Sequence, residues 1–492
     1  MTQNKQLRFR MIIPAFPRNN IYTRIAKKTT SLGPVLVASA VKKFLPNWAV
    51  EIIDENNYHH GPLAADNKPD HTILQQEDPA DVVGFYCGLT STMLRVWELA
   101  QFYKQSGAIT LAGSWHVKAL PEESLEKNID VVVIGDGEKA IIDILTKFEN
   151  QKDIPSIITA ENINLACDLP FPDFGILRFA RMKLYPLGMI RGCSKKCEFC
   201  LVKDKPRWGT PEYLYDLMKW LVETRRANKF FLVDDRLEEN REGYLKFFGL
   251  VAQKYGHSKE LTAQARLEAI EDSELITAMV NAGVKNVCHG VESPIQAELN
   301  AMQKGLKVQK MLGYLKAWRK LFFVHAMFMW GYPLKTGVQI SYSERIKTFK
   351  SFIRKGKPDT IQILRTVPLP GSELRERLEA ENRLFPLNEV NWDKYDGNFV
   401  CFLPGPNDLS LIEIQKGPTK LMRWFYYSLA WVVFPWRTIM MPFDYIFRGW
   451  SQWYRGWRND LAKIGANILL FKERQSEKKF IKFLRNKKKQ NT

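Results

Sequence analysis

Three thiols within a stretch of eight residues are the part of this chain most able to do chemistry. Arg191-Gly-Cys-Ser-Lys-Lys-Cys-Glu-Phe-Cys200 sets Cys193, Cys197 and Cys200 at spacings of four and three. Thiolates so close together can wrap a soft metal centre. Zinc is one candidate, but a structural zinc takes four protein ligands, and the chain has no His from 117 to 256 and no second cysteine pair. A 4Fe-4S cluster held by three thiolates leaves one iron open, as a substrate-binding cluster requires. Buried, unligated cysteines are the plain alternative; Lys195, Lys196 and Glu198 between them argue against a fully apolar setting. The other cysteines, Cys87, Cys167, Cys288 and Cys401, stand alone.

Something must hold that loop. From residue 7 to about 150, short apolar runs such as Phe9 to Ile13, Ala49 to Asp54, Asp81 to Tyr86 and Val131 to Ile134 alternate with helical stretches, the pattern of βαβ units and a doubly wound, flavodoxin-like parallel sheet. Residues 151–185, with Pro155, Pro170 and Pro172, read as a linker. A second series has a longer beat: Lys229 to Asp235, Leu261 to Arg266, Val284 to Glu292, Phe323 to Gly331 and Thr360 to Val367. Counting Met189 to Gly192 as the first strand gives six βα repeats over 186–390, enough for a partial (β/α)6 barrel. Asp234, Asp235, Arg266, Glu292, Ser293 and Arg365 end these runs and are expected to converge on one mouth; loop and cap roles are the alternative.

The C-x3-C-x2-C spacing, with Phe199 before the last Cys at the start of a six-fold βα series, resembles the radical S-adenosylmethionine superfamily. The resemblance implies that Cys193, Cys197 and Cys200 hold a 4Fe-4S cluster whose open iron is chelated by S-adenosylmethionine. One electron, from a donor such as flavodoxin or ferredoxin, then releases a 5′-deoxyadenosyl radical. Phe230-Phe-Leu-Val-Asp-Asp235, Gln264-Ala-Arg266, His289-Gly-Val-Glu-Ser293, Phe328 to Pro333 and Pro368-Leu-Pro-Gly-Ser372 are similar to the family's strand ends. Phe199, Asp234, Asp235, Arg266, Glu292 and Ser293 are thereby implied on the cosubstrate, Arg266 and Glu292 foremost.

Residues 1–150 resemble the N-terminal cobalamin-binding domain of one branch of that superfamily, through Thr30 to Ala38, Ala112-Gly-Ser-Trp-His116, Pro121-Glu-Glu123 and Ile134-Gly-Asp-Gly-Glu138. The likeness implies a cobalamin near Gly113, His116 and Gly135. A D-x-H-x-x-G loop, whose His would ligate cobalt from below, is absent, and His59-His60-Gly61 does not fit that spacing. Cobalamin bound without a protein His and a domain that has lost its cofactor are both consistent with this.

The 492 residues carry a formal charge of +19, and most of it is local: residues 416–492 hold 17 Lys or Arg against 4 Asp or Glu, with 17 aromatic residues among them. Rings beside basic groups suit a headgroup boundary. Phe425 to Phe447 is long enough to span a bilayer, but Pro435, Arg437 and Pro442 lie near its middle. RNA binding is the rival for a basic aromatic tail; the apolar run from Ala430 to Phe434 argues against it. Few cysteines, and an N-terminal apolar run broken by Pro14, indicate a reduced cytoplasmic protein, here expected on the inner membrane face through a helical region, 391–492. The expected activity is cobalamin-dependent methyl transfer to an unactivated carbon of an apolar substrate: a lipid, isoprenoid or tetrapyrrole. Radical cyclisation or rearrangement with a vestigial cobalamin domain is the alternative, and a non-enzymatic membrane or RNA-binding protein the third reading.

Overall fold

The computed structural model describes residues 6–18, 20, 22–335, 339–427 and 430–490. Within 430–460 the described side chains are Met440, Phe443, Ile446, Phe447 and Arg458, so Trp431, Phe434 and Trp436 lie outside the described residues; so do the side chains of Lys488 and Lys489.

The first sheet grows around β1 (Arg8–Ile13), buried along almost its whole length because both of its faces are covered. With β2 (Ala49–Asp54), β3 (Val82–Tyr86), β4 (Ile109–Gly113), β5 (Val131–Ile134), β6 (Ile157–Thr159) and β7 (Leu177–Arg178) it forms one sheet in the order β6-β5-β4-β3-β1-β2-β7. Every pairing is parallel. Helices α1 (Leu32–Phe44), α2 (Met93–Gln105) and α3 (Gly137–Glu149) are its main crossovers. The chain leaves β1 to one side for β2 and returns on the other for β3; at such a switch point the loops part and leave a crevice at the carboxyl ends. Residues 151–185 are more than a connection, since they supply both edge strands, β6 and β7.

The second sheet begins at β8 (Tyr185–Leu187), four residues earlier than the sequence suggests. Ile190–Arg191 (β9) instead pairs antiparallel with Arg207–Trp208 (β10), so the cysteine triad lies in the loop of a small hairpin. Then follow β11 (Lys229–Leu232), β12 (Glu260–Gln264), β13 (Val284–Glu292), β14 (Phe323–Trp330) and β15 (Thr360–Arg365), all parallel and in chain order from β8. The intervening helices are α4 (Pro211–Arg225), α5 (Arg241–Tyr255), α6 (Ser273–Asn281), α7 (Val308–Leu321) and α8 (Tyr342–Gly356), with α9 (Glu373–Ala380) after the last strand. Alternation in β14 shows how the barrel is filled. Val324, Ala326, Phe328 and Trp330 are buried beneath helices, with the Phe328 ring 5.8 Å from that of Phe349 on α8, while Phe323, His325, Met327 and Met329 are half-buried toward the interior.

β15 is an edge, and the C-terminal region covers it. On α10 (Leu411–Tyr427) the Tyr426 hydroxyl donates to Ile361 O at 2.5 Å and accepts from Ile361 N at 2.9 Å. Arg365, expected at the barrel mouth, points the other way: its guanidinium donates to Gln415 O, Thr419 Oγ1 and Glu477 Oε1. A buried cation is drawn to the oxygens that α10 and α11 (Ala430–Gln490) present. Helix α11 breaks at Gly449, whose φ is 76°. Its Arg458 donates to Asn286 Oδ1 at 2.8 Å and lies 4.6 Å from the Phe323 ring, near the amino ends of β13 and β14.

Candidate active site

The triad loop is pinned by carboxylates at the end of β11. Asp234 Oδ1 accepts from Met189 N at 2.7 Å and Ile190 N at 2.9 Å, and its other oxygen meets the Tyr244 hydroxyl. Burial raises this carboxyl to about 7 despite those donors. Asp235 Oδ2 accepts from Gly192 N at 2.8 Å. Gly192 itself must be glycine, with a φ of 92° and a Cβ position only 2.5 Å from Lys205 O. Cys193 N then donates to Asp204 O, Cys200 N to Cys197 O at 3.1 Å, and Lys203 Nζ to Cys197 O at 2.8 Å.

Glu198 docks this loop on the far side of the barrel. It is buried, and it accepts from Tyr332 Oη at 2.5 Å, from Arg377 Nε at 2.9 Å and from Lys335 Nζ at 2.7 Å. Burial alone would raise its carboxyl; Arg377, Lys335 and Tyr332 outweigh that and hold it below the usual range. Sequence reasoning used Glu198 only as a sign of polarity and missed this anchor. A charge fixed between two of the three cysteines was the available signal.

Phe199, Arg266 and Glu292 gather about a residue the sequence did not single out, Lys304. Its ammonium donates to Glu292 Oε1 at 2.7 Å and lies 5.9 Å from the Phe199 ring, and its carbonyl accepts from Arg266 Nη2 at 2.7 Å. Glu292 adopts a φ of 60°, and Gly290 leaves room for its carboxylate: a Cβ there would meet Oε1 at 2.4 Å. Arg266 also pairs with Glu268. Ser293 is fully buried with its hydroxyl committed to Glu298, so the structure does not turn it toward this cluster. Asp234 likewise serves backbone donors.

A cavity of about 660 Å³ opens at the carboxyl edge of the first sheet, walled by Gly113 and Gly135 on one side and by Gly188, Arg191 and Asp235 on the other. It extends along the sheet past Met11 and Gly84 to Val37. The Ile134-Gly-Asp-Gly-Glu138 segment does more than line it. Asp136 accepts from Arg191 and Arg207 at 2.8 Å, and Glu138 pairs with Arg191, tying the first sheet to the residue two before Cys193. His116 is not in the cavity wall. It is buried beside Thr90 and Glu123, its ring 5.2 Å from that of Trp392; no histidine lines the cavity among the described residues.

Cys193, Cys197 and Cys200 share one loop and lie close enough for their thiols to act on one another electrostatically. Three thiolates on one short loop fit an iron–sulfur cluster with one corner left open, whereas a structural zinc takes four protein ligands.

No family model matches the chain. It is 26% identical over 352 residues to an uncharacterized methyltransferase of Pyrococcus horikoshii, covering 66% of this chain and 74% of the relative. It is 24% identical to the anaerobic magnesium-protoporphyrin IX monomethyl ester cyclase of Cereibacter sphaeroides, covering 67% and 57%. It is 23% identical to the hopanoid C-2 methylase of Rhodopseudomonas palustris, covering 79% and 72%. Among solved structures it resembles the cobalamin-dependent S-adenosylmethionine radical enzyme OxsB, with a TM-score of 0.66 at 12% identity over 95% of this chain and 72% of that one. The chain thus shares the fold of a cobalamin-dependent S-adenosylmethionine radical enzyme. In sequence it is similar to curated methyltransferases and to a tetrapyrrole cyclase.

Proposed function

We propose that this enzyme transfers a methyl group to an unactivated carbon of an apolar substrate, using a 4Fe-4S cluster, S-adenosylmethionine and cobalamin. One observation carries the reading: the cavity of about 660 Å³ is walled on one side by the first sheet and on the other by the strand end that leads into the cysteine triad. A methyl carrier held there would face the site where a radical is made. Cys193, Cys197 and Cys200 would hold the cluster. Arg266, Glu292 and Phe199 would meet S-adenosylmethionine, with Lys304 keeping Glu292 in place. Asp235, Asp234 and Ser293 would act by fixing the loops around it, and Gly113 and Gly135 would give cobalamin close approach to backbone. When bound, these groups supply a 5′-deoxyadenosyl radical and a transferable methyl group; the chain's own part is to orient them and keep water from the space between. No histidine lines the wall among the described residues, so cobalamin would be held there without a His of this chain.

The hopanoid methylase and the tetrapyrrole cyclase among the relatives support an apolar substrate. The cyclase favours one second reading, radical ring closure without methyl transfer. Anaerobic reconstitution with iron, sulfide and hydroxocobalamin tests both. The first reading expects bound corrinoid and 5′-deoxyadenosine; 5′-deoxyadenosine without retained corrinoid favours cyclisation, and neither sinks the assignment.

We further infer a peripheral seat on the cytoplasmic face of the membrane. Among the described residues no helix is long and apolar enough to cross a bilayer. Met440, Phe443, Ile446 and Phe447 are nonetheless exposed, Phe447 to 80%, and the spacing puts 440, 443 and 447 on one helical face. Basic residues 478–489 would add attraction to anionic lipid. A flavodoxin or ferredoxin would deliver the electron. Co-sedimentation with anionic vesicles checks the seat, with single-stranded RNA as competitor; protein left in the supernatant, or released by RNA alone, would end it.

A further inference from the structure

A second, smaller cavity of about 230 Å³ adjoins the first at the switch point of the first sheet. Ile13 ends β1 and Phe16 follows it, Leu89 and Thr92 follow β3, and Tyr22 closes the cavity from the loop after β1. Ser31 and Tyr86 belong to the walls of both cavities. Tyr86 is held as a partition: its hydroxyl sits beside Ser31 and Ser114, and Gly88 leaves the space its ring fills, since a Cβ there would lie 2.3 Å from the hydroxyl.

We propose that this smaller cavity receives the uncharged, apolar part of the substrate, placing it one side chain away from the larger cavity; this rests on the reading of the larger cavity given above. Three observations carry it. None of the residues lining the smaller cavity is charged. Its mouth is itself apolar, with Leu89 exposed to 36% and Tyr22 to 41%. Toward the barrel it ends on a neutral, fully used hydrogen-bonding row. The Tyr22 hydroxyl is held inside by Gln362, Gln362 also meets His325, and His325 Nδ1 lies 2.8 Å from Thr360 Oγ1. On that side Asp396 is close enough to act on Tyr22 electrostatically, and a carboxylate there disfavours an anion. A phosphate or carboxylate would find no cation in this cavity, whereas an alkyl, isoprenoid or flat apolar ring system would bury surface against Ile13, Phe16 and Leu89.

The test is photolabelling of the full-length protein with 3-azioctanol, an uncharged alkyl diazirine, and with a diazirine fatty acid of similar length. Peptide mass spectrometry locates the adducts. The alcohol should label peptides spanning 13–22 and 86–92, with the acid at least about fivefold weaker there. Leu89→Trp, which fills the mouth, and Leu89→Glu, which charges it, should each cut labelling by the alcohol at least about fivefold, with circular dichroism separating a blocked cavity from an unfolded chain. Adducts confined to α11, equal labelling by alcohol and acid, or full labelling of folded Leu89→Trp would each overturn the proposal. Should both variants unfold, the comparison of the two probes on the wild-type protein decides. Failure of the underlying reading shows separately, as wild-type protein that retains no corrinoid and forms no 5′-deoxyadenosine whatever the labels do.

Discussion

Replacing Asp234 should destabilise the enzyme in a way that depends on both the substituent and the pH. Asp234→Ala removes the acceptor of two buried backbone donors, Met189 N and Ile190 N, and the partner of Tyr244. Each orphaned buried donor costs about 1–3 kcal/mol, so a loss of about 2–4 kcal/mol is expected. Asp234→Asn keeps one oxygen for the two amides and should cost less, about 1–2 kcal/mol. The pH dependence is the sharper measure. The folded carboxyl titrates at about 7 and the unfolded one near 3.8; between those values the folded chain holds the extra proton, so wild-type stability from this group falls as pH rises through that window. The span corresponds to at most about 4 kcal/mol. Asparagine does not titrate, so between pH 5 and pH 8 its deficit relative to wild type should be largest at pH 5 and should shrink or reverse by pH 8. Urea denaturation of both proteins across that range, followed by tryptophan fluorescence, measures the difference directly. A deficit that stays constant or grows with pH would refute the assignment of a proton to Asp234 and with it the account of how the triad loop is held.

Single Cys193→Ala, Cys197→Ala and Cys200→Ala variants should each lose reconstituted iron and form no 5′-deoxyadenosine, while Cys87→Ala, Cys167→Ala, Cys288→Ala and Cys401→Ala keep their iron, as metal analysis would report. Glu198→Gln leaves Arg377 and Lys335 facing a neutral group in a buried setting; expect about 2–4 kcal/mol lower stability and slower cluster assembly, read by denaturation and by absorbance during reconstitution. Arg10 is fully buried and donates to Glu51, Tyr103, Gln75 and two carbonyls. Arg10→Ala should therefore cost about 3–5 kcal/mol, with the first sheet melting ahead of the barrel in hydrogen exchange. Phe443→Ser with Phe447→Ser should release the protein from vesicles even at low salt, whereas neutralising 478–489 should only make attachment salt-sensitive, in the same co-sedimentation assay.

Period and punctuation made both sheets legible in advance, because their strands are buried on at least one face and announce themselves as apolar runs. The cysteine triad stood out for a different reason: residues on one short loop keep their spacing in sequence. What the sequence hid depends on distant partners. Tyr185–Leu187 became the first barrel strand because it could pair with β11, while the better-looking Met189 to Gly192 was diverted into a hairpin with Arg207 and Trp208. Arg365 looked like a mouth residue from its place at a strand end, but oxygens from α10 and α11, 50 or more residues away, draw it outward. Lys304 lies in no motif and matters only because the chain folds it between Arg266, Glu292 and Phe199. His116 carried a family likeness yet serves Thr90 and Glu123, and no local pattern announces that.

The Tyr426 hydroxyl on the edge of β15 has a consequence for how the chain is made. Until α10 has been synthesised, the last barrel strand presents the amide and carbonyl of Ile361 unpaired on its outer edge, an open template for a passing strand. The group that closes it follows Ile361 by 65 residues, which at ordinary translation rates is a delay of about 3–13 s. A nascent chain stalled within that window, or a message truncated before residue 411, would carry a complete barrel with an adhesive rim, and such products should collect in inclusion bodies or be taken up by chaperones rather than accumulate as free enzyme. Closure of the rim is shared between the Gly397 carbonyl, which accepts from Arg365 N, and a phenolic oxygen that occupies both the donor and the acceptor of Ile361.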